Sequence, residues 1–432
     1  MTVADEVEVS EVRRSWLRRD LPWTWVIFGV ALTTGLLMAL VVFSFQSLVD
    51  QDIDPYFFGE MGQSIANGNG FAGFGSLITR RAPLYPGMIG LVYAIIGDHA
   101  RVVLVIQAFM FAGTCALVFD IGRRLYNRRT GIIAGLICAF HPMLLRYIPN
   151  LHLETQLTLL MTLTLWLSIR FYEQPTVKRG ALFGAAGAAA ALTKAVAVVY
   201  PILFAVGIVL MYRKARQRGD GPAIPWKPLI AIPVLMVCVI APWTIRNYRS
   251  SGHFVPISSG TSDAFLRGFI FSETDYILLR RPPYTDAENA SNAYFRQLAE
   301  DAGTVWERDD YETDQILNKE AKRRLLDEPG AVVRKSVIGV FTFWYQLTSL
   351  KNSALAFGLA VISWAFALVG WRRSRREGKP AWLVLLPVLY LNAVLAVLLA
   401  LGRYSVPILP ALIILSAYGI DSLLERRETR RG

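Results

Sequence analysis

Cysteine is scarce in this chain: only Cys115, Cys138 and Cys238 are present, and each falls inside an apolar segment. That distribution excludes a disulfide framework and a thiolate metal site and leaves the three as packing residues. Also missing are a Walker A loop, a dinucleotide fingerprint, an HExxH zinc helix, a GxSxG nucleophile elbow and any convincing internal repeat. Charge is thin: 18% of the 432 residues are charged against 54% hydrophobic, and mean hydropathy is +0.39. A composition this apolar excludes an ordinary soluble enzyme.

What is present is a succession of long uncharged runs. A hydrocarbon core of about 30 Å takes roughly 20 apolar residues per helix. The runs predict an all-α polytopic membrane protein with ten spans, at about 22–44, 100–120, 130–147, 153–172, 179–193, 195–213, 227–245, 353–371, 380–401 and 404–424. The fifth is short and rich in Gly and Ala, which suits tight packing inside the bundle. The first continues past an ordinary signal-peptide core and no A-x-A site follows, so it is expected to remain as an anchor.

Arginine and lysine crowd into every second loop: Arg13 to Arg19, Arg123 to Arg129, Lys178–Arg179, Arg213 to Arg218, Arg372 to Lys379 and Arg426 to Arg431. Basic loops stay on the cytoplasmic side. Both termini are therefore expected inside, and the formal charge of +12 reports topology and gives no support to nucleic-acid binding. The same alternation makes Val332 to Leu350 an amphipathic helix on the outer surface, anchored by Trp344 and Tyr345 at headgroup level. Leu84 to Gly97 is too short to span.

Two outer loops follow from this topology. The first, about 45–99, is expected to hold a short helix from Pro55 to Ala66, ended by Asn67-Gly68-Asn69-Gly70. The second, about 246–352, is polar and helix-rich, a lid rather than an independent catalytic domain. The expected organisation is a basic tail 1–21, a membrane module 22–245 with its outer loop, the helical loop 246–352, terminal spans 353–424 and a basic tail 425–432.

Ionisable residues at the outer mouth are the candidates for chemistry. Asp52 and Asp54, in QSLVDQDIDPYFFGE, can act as general base toward an acceptor hydroxyl or hold a divalent cation. Asp54 also suits a helix N-cap before Pro55, a role compatible with catalysis. His152 and Glu154 stand two apart in the turn between spans three and four, where they can ligate metal, contact a sugar or simply be hydrated; Glu154 also suits a helix's first turn. Lys194 interrupts the run Ala181 to Tyr200, a position that needs snorkelling or an anionic partner. Arg246 closes span seven and Arg403 separates spans nine and ten, both against the positive-inside tendency and both shaped for phosphate. Arg80 and Arg81 add to this field. His141, before Pro142, reads as a packed or kink residue, and His99 and His253 as loop residues.

The pattern resembles the GT-C superfamily of integral membrane glycosyltransferases, most of all the bacterial branch related to protein O-mannosyltransferases and the lipid A aminoarabinose transferase. It rests on S-I-A-N-G-N-G-F (Ser64 to Phe71), R-A-P-L-Y-P (Arg81 to Pro86), the Arg123-Arg124 loop, the Glu154 turn, P-W-T-I-R-N-Y (Pro242 to Tyr248) and R-Y-S-V-P-I-L-P (Arg403 to Pro410), in that order along almost the whole chain. Each motif is weak singly; order and placement carry the resemblance.

The resemblance implies a polyprenyl-phosphate-linked sugar as donor and a glycan, lipid or protein hydroxyl as acceptor at the extracytoplasmic face. It implies Asp54, with Asp52 as second choice, as the catalytic carboxylate. His152 and Glu154 match an acidic motif that binds metal in some relatives and not in others, so Asp54, His152 and Glu154 are the ligands of a divalent metal if there is one. Lys194, Arg246 and Arg403 match donor-phosphate positions, with Arg81 assisting. The family's Tyr four residues after its Asp is Phe58 here, with Tyr56 nearby as a substitute contact. A single displacement at the anomeric carbon predicts inversion. The rival readings are a transporter or flippase of a lipid-linked or anionic solute, which would place coupling charges near the midplane of repeated halves, and an inactive partner protein.

Overall fold

The computed structural model describes residues 22–42, 53–73, 76–77, 79–218, 222–273, 284–305 and 310–429. Helices dominate, and a two-residue antiparallel pairing of Ala72–Gly73 with Ser76–Leu77 is the one ladder among the described residues. In chain order the helices are α1 (Pro22–Val41), α2 (Ile53–Ala66), α3 (Leu84–Ile96), α4 (Ala100–Leu125), α5 (Arg128–Ala139), α6 (Pro142–Leu145), α7 (Glu154–Glu173), α8 (Val177–Thr193) and α9 (Val199–Gln217). They continue with α10 (Trp226–Ser251), α11 (Thr261–Glu273), α12 (Tyr284–Asp301), α13 (Asp310–Asp327), α14 (Pro329–Thr342), α15 (Leu350–Arg376), α16 (Trp382–Val397) and α17 (Leu409–Thr429).

Each expected span overlaps a helix, and six segments among the described residues are long and apolar enough to cross a membrane: Pro22–Val41, Ala100–Leu125, Ala195–Gln217, Trp226–Ser251, Leu350–Arg376 and Gly402–Thr429. The chain is a multi-pass membrane protein. The third expected span, 130–147, is not one helix. It stops at Ala139, and Pro142 opens the separate turn α6 after His141 takes extended backbone, φ −73 and ψ 117. Proline disfavours helical backbone in the residue before it and removes a helix donor, which accounts for the break here. The remaining 12-residue helix is about 18 Å long, short of a crossing.

The Gly/Ala-rich α8 packs inside the bundle, as its composition suggests. A Cβ on Gly184 would stand 2.3 Å from the Ile232 carbonyl oxygen of α10, and one on Gly187 2.3 Å from Pro201 Cγ. Only glycine lets these backbones approach so closely. Helix α17 runs through the centre of the core, with residues Leu409 to Gly419 all buried.

At the arginine-rich end, Asp421 of α17 is fully buried. It accepts from Asn127 Nδ2 at 2.8 Å, Thr130 Oγ1 at 3.3 Å and Arg373 Nη1 at 3.2 Å, and Arg129 Nε lies 3.4 Å away. One carboxylate thus ties α17 to α5 and α15. Replacing it with Leu takes the acceptor from Asn127 and Thr130, while Arg373 keeps Glu377 and Glu425 and Arg129 keeps Glu428, and we expect a stability loss of about 1–3 kcal/mol, read as a fall in the thermal unfolding midpoint in detergent.

Helices α11 to α14 form a layer with a core of its own, made by Phe265, Leu266, Phe269, Phe295, Leu317 and Ala321. It is fastened to the bundle by Lys335, 3% exposed, whose Nζ donates to Phe265 O at 3.0 Å and Val397 O at 2.5 Å. It is fastened to the 45–99 segment by the Arg80–Asp263 pair at 2.9 Å. Helix α14 ends at Thr342, short of the Leu350 expected. Trp344 and Tyr345 lie in the turn that follows and pack edge-on against Trp364 and Phe357 of α15, at 5.2 and 5.5 Å.

Candidate active site

Helix α2 carries the acidic segment. It begins at Ile53, so Asp54 falls within its first turn, and it ends at Ala66. The Asn-Gly-Asn-Gly run then turns the chain through Gly68 and Gly70, φ 79 and 73, a region open to glycine. Asp52 lies outside the described residues, as do the side chains of Asp54 and Tyr56.

Phe58, 2% exposed, buries its ring edge-on against Tyr85 of α3 at 5.0 Å. The position that holds Tyr in relatives is therefore a packing residue here. A Cβ on Gly62 would meet Ile89 at 2.4 Å, so α2 lies tight on α3, and Gly59 faces Leu151. This packing seats the acidic helix against the turn that bears His152 and Glu154.

That turn is held by Gln107 of α4. Its Nε2 donates to the carbonyls of Ile148 and Asn150, both at 2.8 Å, and its Oε1 accepts from the Tyr85 hydroxyl at 2.8 Å. Burial, and then the nearby Glu154 carboxylate, push the Tyr85 phenol well above its ordinary value, so it stays a donor. Gln107→Leu takes the donor from the Ile148 carbonyl and the acceptor from the Tyr85 hydroxyl, while the Asn150 carbonyl keeps the His152 N–H at 2.8 Å. We expect a loss of about 2–3 kcal/mol with lowered activity, checked by thermal unfolding and turnover of the same preparation.

His152 and Glu154 are 4% and 3% exposed, and His152 Nδ1 lies 3.6 Å from Glu154 Oε2. Tyr147 meets the imidazole edge-on at 5.5 Å. His152 lines a solvent-open cleft with Arg146, Asn150, Gln346, Thr348 and Arg403.

Lys194 and Arg403 converge on one ring. Lys194 ends α8 in extended backbone, φ −151 and ψ 115, before a short 3-10 turn restarts the helix. A cation is favoured at such a helix C-terminus. Its Nζ stands 3.4 Å from the centroid of Tyr404; the Arg403 guanidinium is 5.0 Å from the same centroid, and Arg403 Nη2 donates to the Tyr404 hydroxyl at 3.2 Å. The π face and phenol oxygen hold two like charges close together, which water alone would not favour. Two cations from distant turns thus share one aromatic support.

Arg81 and Arg246 stand on neighbouring aromatic platforms. Arg81 lies 5.2 and 5.7 Å from the rings of Phe57 and Phe58 of α2. Arg246 lies 4.7 Å from Trp243 and 5.7 Å from Phe71, donating to Phe71 O at 3.2 Å. A small apolar cluster of Ala82, Leu192, Trp243 and Ile257, with Phe71 and Ala195 against it, joins the chain segments of Arg81, Lys194 and Arg246. The structure thus places His152 and Arg403 in the lining of one cleft, with Glu154 beside His152 and Lys194 sharing Tyr404 with Arg403, and sets Arg81 and Arg246 on adjoining supports outside that lining.

For a metal, His152 and Glu154 offer one nitrogen and one carboxylate. No group of three His, Cys, Asp or Glu able to hold an ion occurs among the described residues. The third ligand expected from the sequence, Asp54, has its side chain outside the described residues.

Several residues of this site went unassigned in the sequence: Arg146, Asn150, Gln107, Gln346 and Tyr404. Tyr404 had a signal, being adjacent to Arg403 in a quoted motif. Gln107 and Gln346 had none, because a polar residue in or near an apolar helix is informative only once its distant partners are known.

Residues 80–244 match the family described as Dolichyl-phosphate-mannose-protein mannosyltransferase. Over 96% of its length the chain superposes on the archaeal oligosaccharyltransferase AglB from Archaeoglobus fulgidus in complex with an inhibitory peptide and a dolichol-phosphate, with TM-score 0.56 and 14% identity. The apo form of the Archaeoglobus fulgidus oligosaccharyltransferase gives TM-score 0.57 at 14% identity and 96% coverage of this chain. The chain spans about half the length of these archaeal proteins, 52% in each case. A looser likeness, TM-score 0.42 at 17% identity over 92% of this chain and 78% of the other, is to apo ArnT from Cupriavidus metallidurans. No curated protein matches in sequence. The GT-C resemblance read from the motifs therefore holds at the level of the fold.

Proposed function

We propose that this chain is a membrane glycosyltransferase that moves a sugar from a polyprenyl-phosphate donor to an acceptor hydroxyl at the extracytoplasmic face. The observation that carries this reading is the meeting of Lys194 and Arg403 on Tyr404, beside the cleft that holds His152. Both cations come from turns between apolar helices, where the phosphate of a lipid lying along the bundle would emerge. The dolichol-phosphate in the archaeal AglB structure supports a ligand of that kind.

In the proposed reaction the acceptor oxygen attacks the anomeric carbon as the bond from that carbon to the phosphate oxygen breaks. The acceptor proton passes to Asp54, and the electron pair leaves on the lipid phosphate, which Lys194 and Arg403 stabilise. Arg246 and Arg81 extend the positive field, Glu154 holds His152 in place, and Tyr56 contacts the sugar. Asp52 is the alternative base. One displacement inverts the anomeric configuration. A divalent ion bound by Asp54, His152 and Glu154 would add Lewis-acid stabilisation of the leaving phosphate. Both termini are proposed to be cytoplasmic, and the 252–342 segment to cover the acceptor side.

The test is direct. Purified protein in nanodiscs is given polyprenyl-phosphate sugars extracted from membranes together with envelope glycan, lipid and peptide acceptors. Consumption of donor with equimolar release of bare polyprenyl phosphate is expected. Movement of the intact lipid-linked solute across the bilayer without release would favour transport instead.

A further inference from the structure

We infer that Gln346 positions the transferred sugar, its carboxamide N–H groups donating to one sugar hydroxyl; this rests on the glycosyl-transfer reading above. Gln346 is 3% exposed, and its Nε2 is buried with no hydrogen-bond partner among the described residues. A buried amide donor left unpaired is costly and rare in folded proteins, and a ligand that fills the space can supply the acceptor.

Its location says which ligand atom. Gln346 lines the cleft that holds Arg146, His152 and Arg403, and it also lines a second cleft bounded by Gly268, Ser272, Gly339, Thr342 and Ala400. It is the one residue common to both linings among the described residues. The first cleft has guanidinium groups to meet a phosphate; the second is largely apolar, with Phe271, Ile338, Leu398 and Leu399, and adds the hydroxyls of Ser272 and Thr342 and the amine of Lys335. At the junction the donor is a neutral amide, which matches a neutral oxygen rather than an anion.

The main chain at Gln346 is well anchored. Its backbone N–H donates to Thr342 O at 2.9 Å, and its backbone carbonyl accepts from Gly402 N at 2.6 Å, one residue before Arg403. These bonds tie the segment that carries the carboxamide to the segment that carries the guanidinium. A buried donor at such a place discriminates strongly against a ligand that lacks the matching hydroxyl.

The experiment uses the full chain in nanodiscs with decaprenyl phosphate, and with decaprenyl phosphate carrying mannose, glucose, galactose or arabinose. For the sugar that wild type transfers, Gln346→Met is expected to lower kcat/KM by about 100-fold. Affinity for bare decaprenyl phosphate should change less than about 2-fold, and thermal unfolding should be unaltered. One monodeoxy analogue of that donor should be penalised similarly in wild type and show no further loss in Gln346→Met. An equal loss on bare and glycosylated lipid would place the amide on the phosphate and overturn the inference. Unchanged turnover in the variant would overturn it as well. Should the variant fail to fold, the wild-type deoxy series decides alone: no analogue penalised more than about 10-fold contradicts the inference. If wild type transfers none of the four sugars, the transfer reading fails for them and the inference falls with it, a result distinct from transfer that is indifferent to residue 346.

Discussion

Asp54→Asn lowers kcat for sugar transfer by about 10³-fold, with donor KM little changed. The substitution keeps size and hydrogen-bonding capacity but removes the basic oxygen, so the attacking hydroxyl keeps its proton as the bond forms. Helix α2 is seated by Phe58 on Tyr85 and by Gly62 on Ile89, contacts that do not involve residue 54. Thermal unfolding of the variant should therefore match wild type. Asp52→Asn, two residues earlier, is expected to stay within about 5-fold of wild-type kcat, well below the range for loss of a general base. Steady-state kinetics on the pair of variants settles which carboxylate works; a reversed order would move the base to Asp52.

The second large effect concerns the two cations that share Tyr404. Lys194→Met and Arg403→Met should each cost about 10²–10³ in kcat/KM, the range for removing one preorganised group from a developing charge. Because Arg403 donates to the phenol oxygen while Lys194 stands over the ring, the two act on one support. The double variant is expected to lose less than the product of the single losses, by at least about 10-fold. Full multiplicativity would mean that the two cations serve different groups. Tyr404→Phe keeps the ring under Lys194 and removes the oxygen that orients Arg403, so it should resemble a mild form of Arg403→Met.

Much of this architecture was legible in the sequence because hydrocarbon imposes a length and a polarity on any helix that crosses it. The apolar runs, the Gly/Ala character of α8 and the Asn-Gly-Asn-Gly turn each map onto an element of the fold. Lys194 and Arg403 could be picked out because a cation at the end of an apolar run needs a reason. Their meeting on Tyr404 could not be, since residues 194 and 404 approach only through packing of the whole bundle. The same holds for Gln107, whose partners lie 41 and 43 residues away. The break at His141 and Pro142 was visible as a proline, but its consequence for span three depended on whether the helix resumed. It resumes for a single turn.

The central claim is that one positive site, assembled from the turns at Lys194 and Arg403, receives a lipid-borne phosphate. A cryo-electron microscopy map of the protein in nanodiscs loaded with undecaprenyl phosphate measures this most directly. The account predicts phosphate density within hydrogen-bonding distance of both Lys194 Nζ and the Arg403 guanidinium, with the prenyl chain descending along the bundle. Phosphate bound at the arginine-rich end near Arg373 and Arg129, or an ordered lipid that contacts neither Lys194 nor Arg403, would contradict it.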